Sequence, residues 1–247
     1  MNIWFARAAW LWAEASAPAR PDELAAFAAR HTVREVSVSV PWNGPTRGTA
    51  AHVRALAARG IAASALGGTP EWTMDAASAV TWTERALRGG LFTGIHLDIE
   101  PWALPDWPAD ADPLLDRLVR TVRAVADSAG RVPIEIDLPG WLARTHPEAF
   151  VALVRAADAI TIMAYRDTAA AILAEAAAAV EIAETRARSF RIGVDAVPAL
   201  EPGTTFADDG ADALARHTAV VAATLARHPE FCGIAVHDLA AWRALRP

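Results

Sequence analysis

The chain has 247 residues, 53% of them apolar and 21% charged, with a net charge of −6 and a pI of about 5.6. That is ample apolar material for a large core, and the dispersed acidic charge, with no Lys/Arg stripe, speaks against a nucleic-acid partner or an anionic membrane surface. The single cysteine, Cys232, excludes an intrachain disulfide and any zinc site built on cysteine pairs.

Short apolar runs alternate with amphipathic segments from one end to the other. The predicted order is strand Asn2–Arg7, helix Pro21–Arg30, strand Glu35–Val40, helix Thr49–Arg59, strand Ala62–Leu66 and helix Asp75–Gly89. It continues with strand Gly94–Ile99, helix Pro113–Ala129, strand Pro133–Leu138, helix Pro147–Ala156, strand Ala159–Ala164 and helix Ala169–Ala187. Strand Arg191–Asp195, helix Ala211–Arg227, strand Gly233–His237 and a short helix Leu239–Leu245 complete it. Pro21 before Asp22 and Glu23, and Pro147 before Glu148, are helix starts; Gly60, Gly90 and Gly130 stand where helices end. Eight strand–helix units in this length make an α/β protein with a single (β/α)8 TIM barrel, expected as one domain over residues 1–247. The N-terminus reads as a strand rather than a secretion leader, and no apolar run reaches about 18 residues, so a cytoplasmic protein with no membrane span is expected. No G-x-S-x-G, P-loop or G-x-G-x-x-G after a strand is present, and no cofactor or metal is expected.

In such a barrel the active site forms at the C-terminal ends of the strands. Collecting strand ends and the loops after them gathers Arg7 and Trp10, then Trp42, Trp102, Trp141, Tyr165, Arg166, Asp195 and His237. Eight of the ten tryptophans, Trp4 included, fall in strands or loops on that side. Indole rings stack on the apolar faces of sugars while acids take the hydroxyls, so a small-molecule or oligosaccharide substrate is indicated. Alternation also turns His96, Glu135, Asp137 and Thr161 toward the barrel axis, where a purely structural barrel keeps Val, Ile and Leu. Buried carboxylates cost kilocalories per mole unless paired, and Arg7 and Arg166 are the expected compensating charges.

The densest signal is Gly94-Ile95-His96-Leu97-Asp98-Ile99-Glu100-Pro101-Trp102. A strand repeats every two residues, so Asp98 and Glu100 point the same way with Cα atoms about 6.5–7 Å apart. Two acids that close push each other's pKa values apart, the division of labour that acid-catalysed glycoside cleavage needs.

This segment resembles the fourth-strand signature of family-18 glycoside hydrolases, the chitinase family, written D-G-x-D-x-D-x-E. Thr93 stands at the first Asp, Gly94 matches, His96 replaces the second Asp, Asp98 matches the third, and Glu100 matches the catalytic Glu. Thr161-Ile162-Met163-Ala164-Tyr165 resembles the family's sixth-strand M-x-Y element, and Gly233–His237 its eighth-strand G-x-x-x-W segment, with His237 in place of Trp. The resemblance implies a substrate-assisted retaining reaction in which Glu100 is general acid and then base, while Asp98 and Tyr165 hold the substrate's acetamido group. His96 implies an altered relay to Asp98: a neutral imidazole hydrogen-bonds that carboxyl, whereas a cationic one holds it ionised. The compact loops imply a short substrate.

Other readings stand beside it. Glu135 or Asp137 is placed to act as a direct nucleophile opposite Glu100. A different barrel enzyme would bind a divalent metal through Asp98, Glu135, Asp137, Asp195 or His237, or run acid-catalysed lyase or cyclase chemistry on Glu100. A non-catalytic sugar-binding relative would keep the aromatic cleft. The oligomeric state is not readable.

Overall fold

The structure, a computed structural model, describes residues 7–13 and 20–247. Eight parallel strands form a closed barrel in chain order: Arg7–Leu11 (β1), Val33–Ser39 (β2), Ala62–Gly67 (β3), Gly94–Leu97 (β4), Ile134–Pro139 (β5), Ala159–Met163 (β6), Ser189–Asp195 (β7) and Phe231–His237 (β8). β8 closes on β1 through Arg7–Ala9 against Ile234–Val236. The helices are Pro21–Arg30 (α1), Arg47–Ala57 (α2), Ala76–Leu87 (α3), Trp107–Ala129 (α4), Leu142–Thr145 (α5), Pro147–Ala156 (α6), Ala169–Thr185 (α7), Ala211–Leu225 (α8) and Leu239–Ala244 (α9). Single 3-10 turns, Pro70–Thr73 and Pro101–Ala103, follow β3 and β4. This is the (β/α)8 barrel that the alternation of elements predicts.

Local chemistry explains most boundaries. Proline opens α1 and α6 at the predicted residues, because its fixed φ suits the first turn and its missing N–H costs nothing there. Thr46 and Thr49 form a reciprocal capping box on α2, and Asp75, Thr168 and Asp238 cap α3, α7 and α9. The fourth helix starts earlier than its predicted Pro113, since Trp107 begins a turn that breaks at Asp110 before the regular helix resumes. It ends on Gly130 at φ +66°.

The first strand departs from expectation. The prediction Asn2–Arg7 ends where β1 begins; residues 2–6, Trp4 with them, lie outside the described residues. Trp10 therefore sits inside a strand rather than in the loop after it. Arg7 is moved to the opposite end from the strand C-termini, with its guanidinium 5.6 Å from the Trp242 ring centroid.

Alternation divides the strand side chains into two layers. Those facing the helices, such as Val36, Ile95, Leu97, Ile136, Ile160, Ile192 and Val236, join the main apolar core. Full burial of each contributes about 1.5–3 kcal/mol. Inside the barrel, among the described residues, the separate apolar cluster is small: Ala8, Trp10, Leu66 and Ala235, with Trp12 packed against it. Buried polar side chains share the lumen with it, among them Ser37, Ser64, His96, Glu135, Asp137 and Thr161. Their bonds run across the barrel, as from Trp10 on β1 to Asp137 on β5. Among the described residues no helix is long and apolar enough to cross a membrane.

Candidate active site

Asp98 and Glu100 leave the end of β4 together. The Asp98 amide donates to the Gly67 carbonyl at 3.1 Å, which carries the strand ladder one residue past Leu97 and keeps Asp98 on the same side as His96. A Cβ on Gly68 would lie 1.8 Å from the Asp98 carbonyl oxygen, so only glycine lets the β3 loop pass this close. The Gly67-Gly68 pair thus serves packing around the acid.

Glu100 opens onto a cleft of about 500 Å³. Trp102 and Trp141 stand beside it; Pro139 and Met163 follow at the ends of the next two strands, and Tyr165 just past β6. Arg166, Glu175 and Asp195 continue the lining, and Ala199, Leu200, Glu201 and Thr204 on the β7–α8 connection form a lip. Leu200 is fully exposed on that lip, at 104% of its reference area. Trp102, Trp107 and Trp141 meet edge to face with centroids 5.7–6.3 Å apart, so the aromatic wall is braced by its own packing.

Burial pushes the Glu100 carboxyl pKa upward, Asp137 adds to the rise, and a hydrogen bond from Trp102 partly offsets it. Asp98 rises to about 8 because it is buried beside Asp137 and Glu100. Tyr165 is raised well above 10.0 by burial and by the surrounding acids, which keeps its phenol a hydrogen-bond donor. Asp98 therefore holds a protonated carboxyl at neutral pH, where an ordinary Asp has none, and Glu100 is shifted in the same direction.

Below these acids runs a charged column. His96 Nε2 lies 2.8 Å from Asp137 Oδ2, and its Nδ1 lies 3.9 Å from Glu135 Oε2. Burial opposes charge on His96, but Asp137, Glu135 and Asp98 outweigh it and raise its pKa to about 9. Glu135 accepts from Thr161 at 2.5 Å and from the Arg191 guanidinium, whose other nitrogen bonds Glu35 at 2.5 Å. Despite complete burial, Arg191 and His96 hold the Glu135 carboxyl below its ordinary value. At the rim, Trp12 Nε1 donates to His237 Nε2 at 2.9 Å, and His237 Nδ1 lies 3.0 Å from Asp195 Oδ1. Asp195 draws the His237 pKa up against its burial, whereas the indole N–H of Trp12 finds an acceptor only on the neutral ring. That ring stacks on Tyr165 at 6.0 Å.

The structure gathers Glu100, Trp102, Trp141, Tyr165, Arg166 and Asp195 around one cleft, with Asp98 and His237 against them. His96, Glu135 and Asp137 lie in the lumen beneath, each under 8% exposed. Three predicted contacts are not brought there. Arg7 is at the far end of β1. Trp10 is 2% exposed in the lumen, donating to Asp137 at 2.9 Å with its ring edge-on to His96. Trp42 is exposed and covered by the Arg85 guanidinium at 4.7 Å rather than facing the cleft. Two charge assignments also change. The cation that compensates the lumen acids is Arg191, while Arg166 pairs with Glu175 at 3.3 Å. The cationic His96 contacts Asp137 instead of holding Asp98 ionised. Arg191 stands two alternations before Asp195, so the strand period contained its inward direction; Glu175 and the β7–α8 lip carry no such local mark. Among the described residues no group of three or more His, Cys, Asp or Glu is placed to hold a metal ion.

No protein-family model matches the sequence, and no curated protein matches it. Solved structures resemble the fold. A chitinase from Chromobacterium violaceum ATCC 12472 superposes with a TM-score of 0.61 at 17% identity, covering 97% of each chain. Active domain 2 of a thermostable chitinase from Pyrococcus furiosus gives 0.63 at 14% identity, over 94% of this chain and 82% of that one. A Toxoplasma gondii ME49 protein provisionally named a deoxyribose-phosphate aldolase gives 0.56 at 15%, over 97% and 89%. At these identities the likeness establishes the barrel and leaves the chemistry to the residues of the site.

Proposed function

We propose that this protein is a glycoside hydrolase acting on a short, N-acetylated glycoside, with Glu100 as general acid and base and with Asp98 and Tyr165 assisting. The observation that carries the reading is Glu100: a carboxyl on the wall of a tryptophan-lined cleft, its pKa pushed upward by burial, beside Asp98. A general acid works best when its pKa lies near the working pH.

In the first step Glu100 passes its proton to the glycosidic oxygen as the bond from that oxygen to the anomeric carbon breaks. The carbonyl oxygen of the substrate's own 2-acetamido group bonds to the anomeric carbon in its place, giving an oxazolinium ion. Glu100, now a carboxylate, takes a proton from water while the water oxygen displaces the acetamido oxygen. Asp98 steadies the acetamido N–H and Tyr165 donates to its carbonyl oxygen. Trp102 and Trp141, packed edge to face, offer apolar surface to the sugar, and the cleft volume suits a small substrate. Glu135 and Asp137 are poor candidates for a direct nucleophile, because Glu135 is tied to Arg191 and Thr161 and Asp137 is 1% exposed.

The test is a panel of chromogenic N-acetylglucosaminides, glucosides and galactosides, run with and without EDTA on the wild type and on Glu100→Gln. The expected result is EDTA-insensitive turnover of an N-acetylglucosaminide that disappears in Glu100→Gln and is inhibited by an N-acetylglucosamine thiazoline. Turnover retained by Glu100→Gln overturns the assignment.

A further inference from the structure

We propose that Asp137 on β5 is the positioning residue for Asp98: the two carboxyl groups hold one proton between them, and the column of His96, Glu135 and Arg191 braces Asp137 for that role. Strand register carries the inference first. His96 pairs with Glu135 and Leu97 with Ile136 across the β4–β5 ladder, and the same register carried one residue past the end of β4 sets Asp98 beside Asp137. Both belong to the inward-facing set, on adjacent strands about 4.8 Å apart.

The hydrogen-bond inventory carries it further. Asp137 Oδ2 receives the Trp10 indole N–H at 2.9 Å and lies 2.8 Å from His96 Nε2. Asp137 Oδ1 and Asp98 Oδ1 are both buried and have no hydrogen-bond partner among the described residues. Two orphaned carboxyl oxygens this close each carry an uncompensated desolvation cost, larger for a charged group. One proton between them removes both deficits, since a protonated carboxyl donates and its ionised neighbour accepts.

The groups facing this pair determine which way the proton leans. Glu100 and His96 approach Asp98 from its own strand end, His237 from β8 and Tyr165 from β6. His96 Nε2 lies 2.8 Å from Asp137 Oδ2, while burial with Asp137 and Glu100 raises Asp98, so the proton resides on Asp98. Arg191, Glu35, Glu135 and Thr161 hold His96 from below and do not reach the cleft.

The consequence for catalysis rests on the hydrolase reading. As positive charge grows on the acetamido group, the proton moves from Asp98 to Asp137. One O–H bond breaks and another forms, and Asp98 becomes the carboxylate that accepts the acetamido N–H. No base from solvent is needed.

The test is carbon-detected NMR titration of the aspartate carboxyl groups in the wild type, Asp137→Asn and Glu100→Gln, with infrared difference spectra for the protonated carboxyl. The Asp98 titration midpoint is expected to fall by at least about one pH unit in Asp137→Asn, and the alkaline limb of kcat/KM with it. A neutral-pH carboxylic C=O band is expected in the wild type, to persist in Glu100→Gln and to vanish when Asp98→Asn is added to that variant. An unmoved midpoint in folded Asp137→Asn, or a wild-type protein without that band, overturns the shared proton. The band is read without any variant of Asp137, so its absence overturns the shared proton even where Asp137→Asn fails to fold. The shared proton and the hydrolase assignment fail separately: Glu100→Gln abolishes turnover under that assignment, while it leaves the band and the effect of Asp137→Asn in place.

Discussion

The two faces of the barrel sheet are built on opposite rules. Outside, between strands and helices, Ile, Leu, Val, Phe and Ala pack into one continuous core. Inside, among the described residues, apolar packing centres on Ala8, Trp10, Leu66 and Ala235, and the side chains around it carry hydroxyl, imidazole, carboxyl and guanidinium groups. A structural barrel has no use for this, because a satisfied ion pair in the interior roughly breaks even against well-packed hydrocarbon. The outer face accounts for folding, and the inner one spends some of that stability on holding acids in fixed protonation states.

Four substitutions and conditions separate the two faces. Glu100→Gln touches only the rim, and its expected effect is a loss of about 10²–10⁴ in kcat with the thermal midpoint unchanged, checked by steady-state kinetics beside calorimetry. Phe150→Ala is its converse. The ring is completely buried on α6, so its removal is expected to cost about 3–5 kcal/mol in urea unfolding while leaving kcat per folded molecule intact. Arg191→Met falls between them. It leaves Glu135 and Glu35 without their shared cation, at an expected cost of about 3–5 kcal/mol, and the double change Arg191→Met with Glu135→Gln should recover part of it. A stable Arg191→Met protein would mean that the column is not the cross-barrel tie its geometry indicates.

The smallest effect is the pH dependence. His96 has its pKa raised from 6.5 to about 9, so the folded state binds this proton more tightly than the unfolded chain. Its contribution is fully present below 6.5 and is lost as pH rises through about 9. Asp98, raised from 3.8 to about 8, has the same sign: folding favours its protonated form, so stability falls across that window too. Urea midpoints are therefore expected to decline steadily on the alkaline side of neutrality. His96→Gln should flatten the upper part of that decline, and an unchanged slope would remove His96 from the explanation.

Much of this was readable beforehand. The outer face of β4 declared itself through Ile95, Leu97 and Ile99, which by a period of two places His96, Asp98 and Glu100 on the other side. The ends of α1 and α6 were marked by Pro21 and Pro147, whose conformational restriction acts within a single turn. What stayed hidden was the identity of partners. Trp10 reads equally well as a rim aromatic and as a lumen plug, and its place was settled by Asp137, 127 residues away. Arg191 meets Glu135 across 56 residues and Glu35 across 156. Trp42 was assigned to the cleft by position alone, and Arg85 of α3 claimed its ring instead.

The barrel, its strand order and the pair of acids at the end of β4 follow from the chain's local pattern, because periodicity and capping act between residues a few positions apart. The protonation of those acids does not. It depends on which charges barrel closure brings within a few ångströms and on how far water is shut out, and both are properties of the closed lumen: Trp10, His96 and Asp137 become neighbours only when β1, β4 and β5 curve around a common axis.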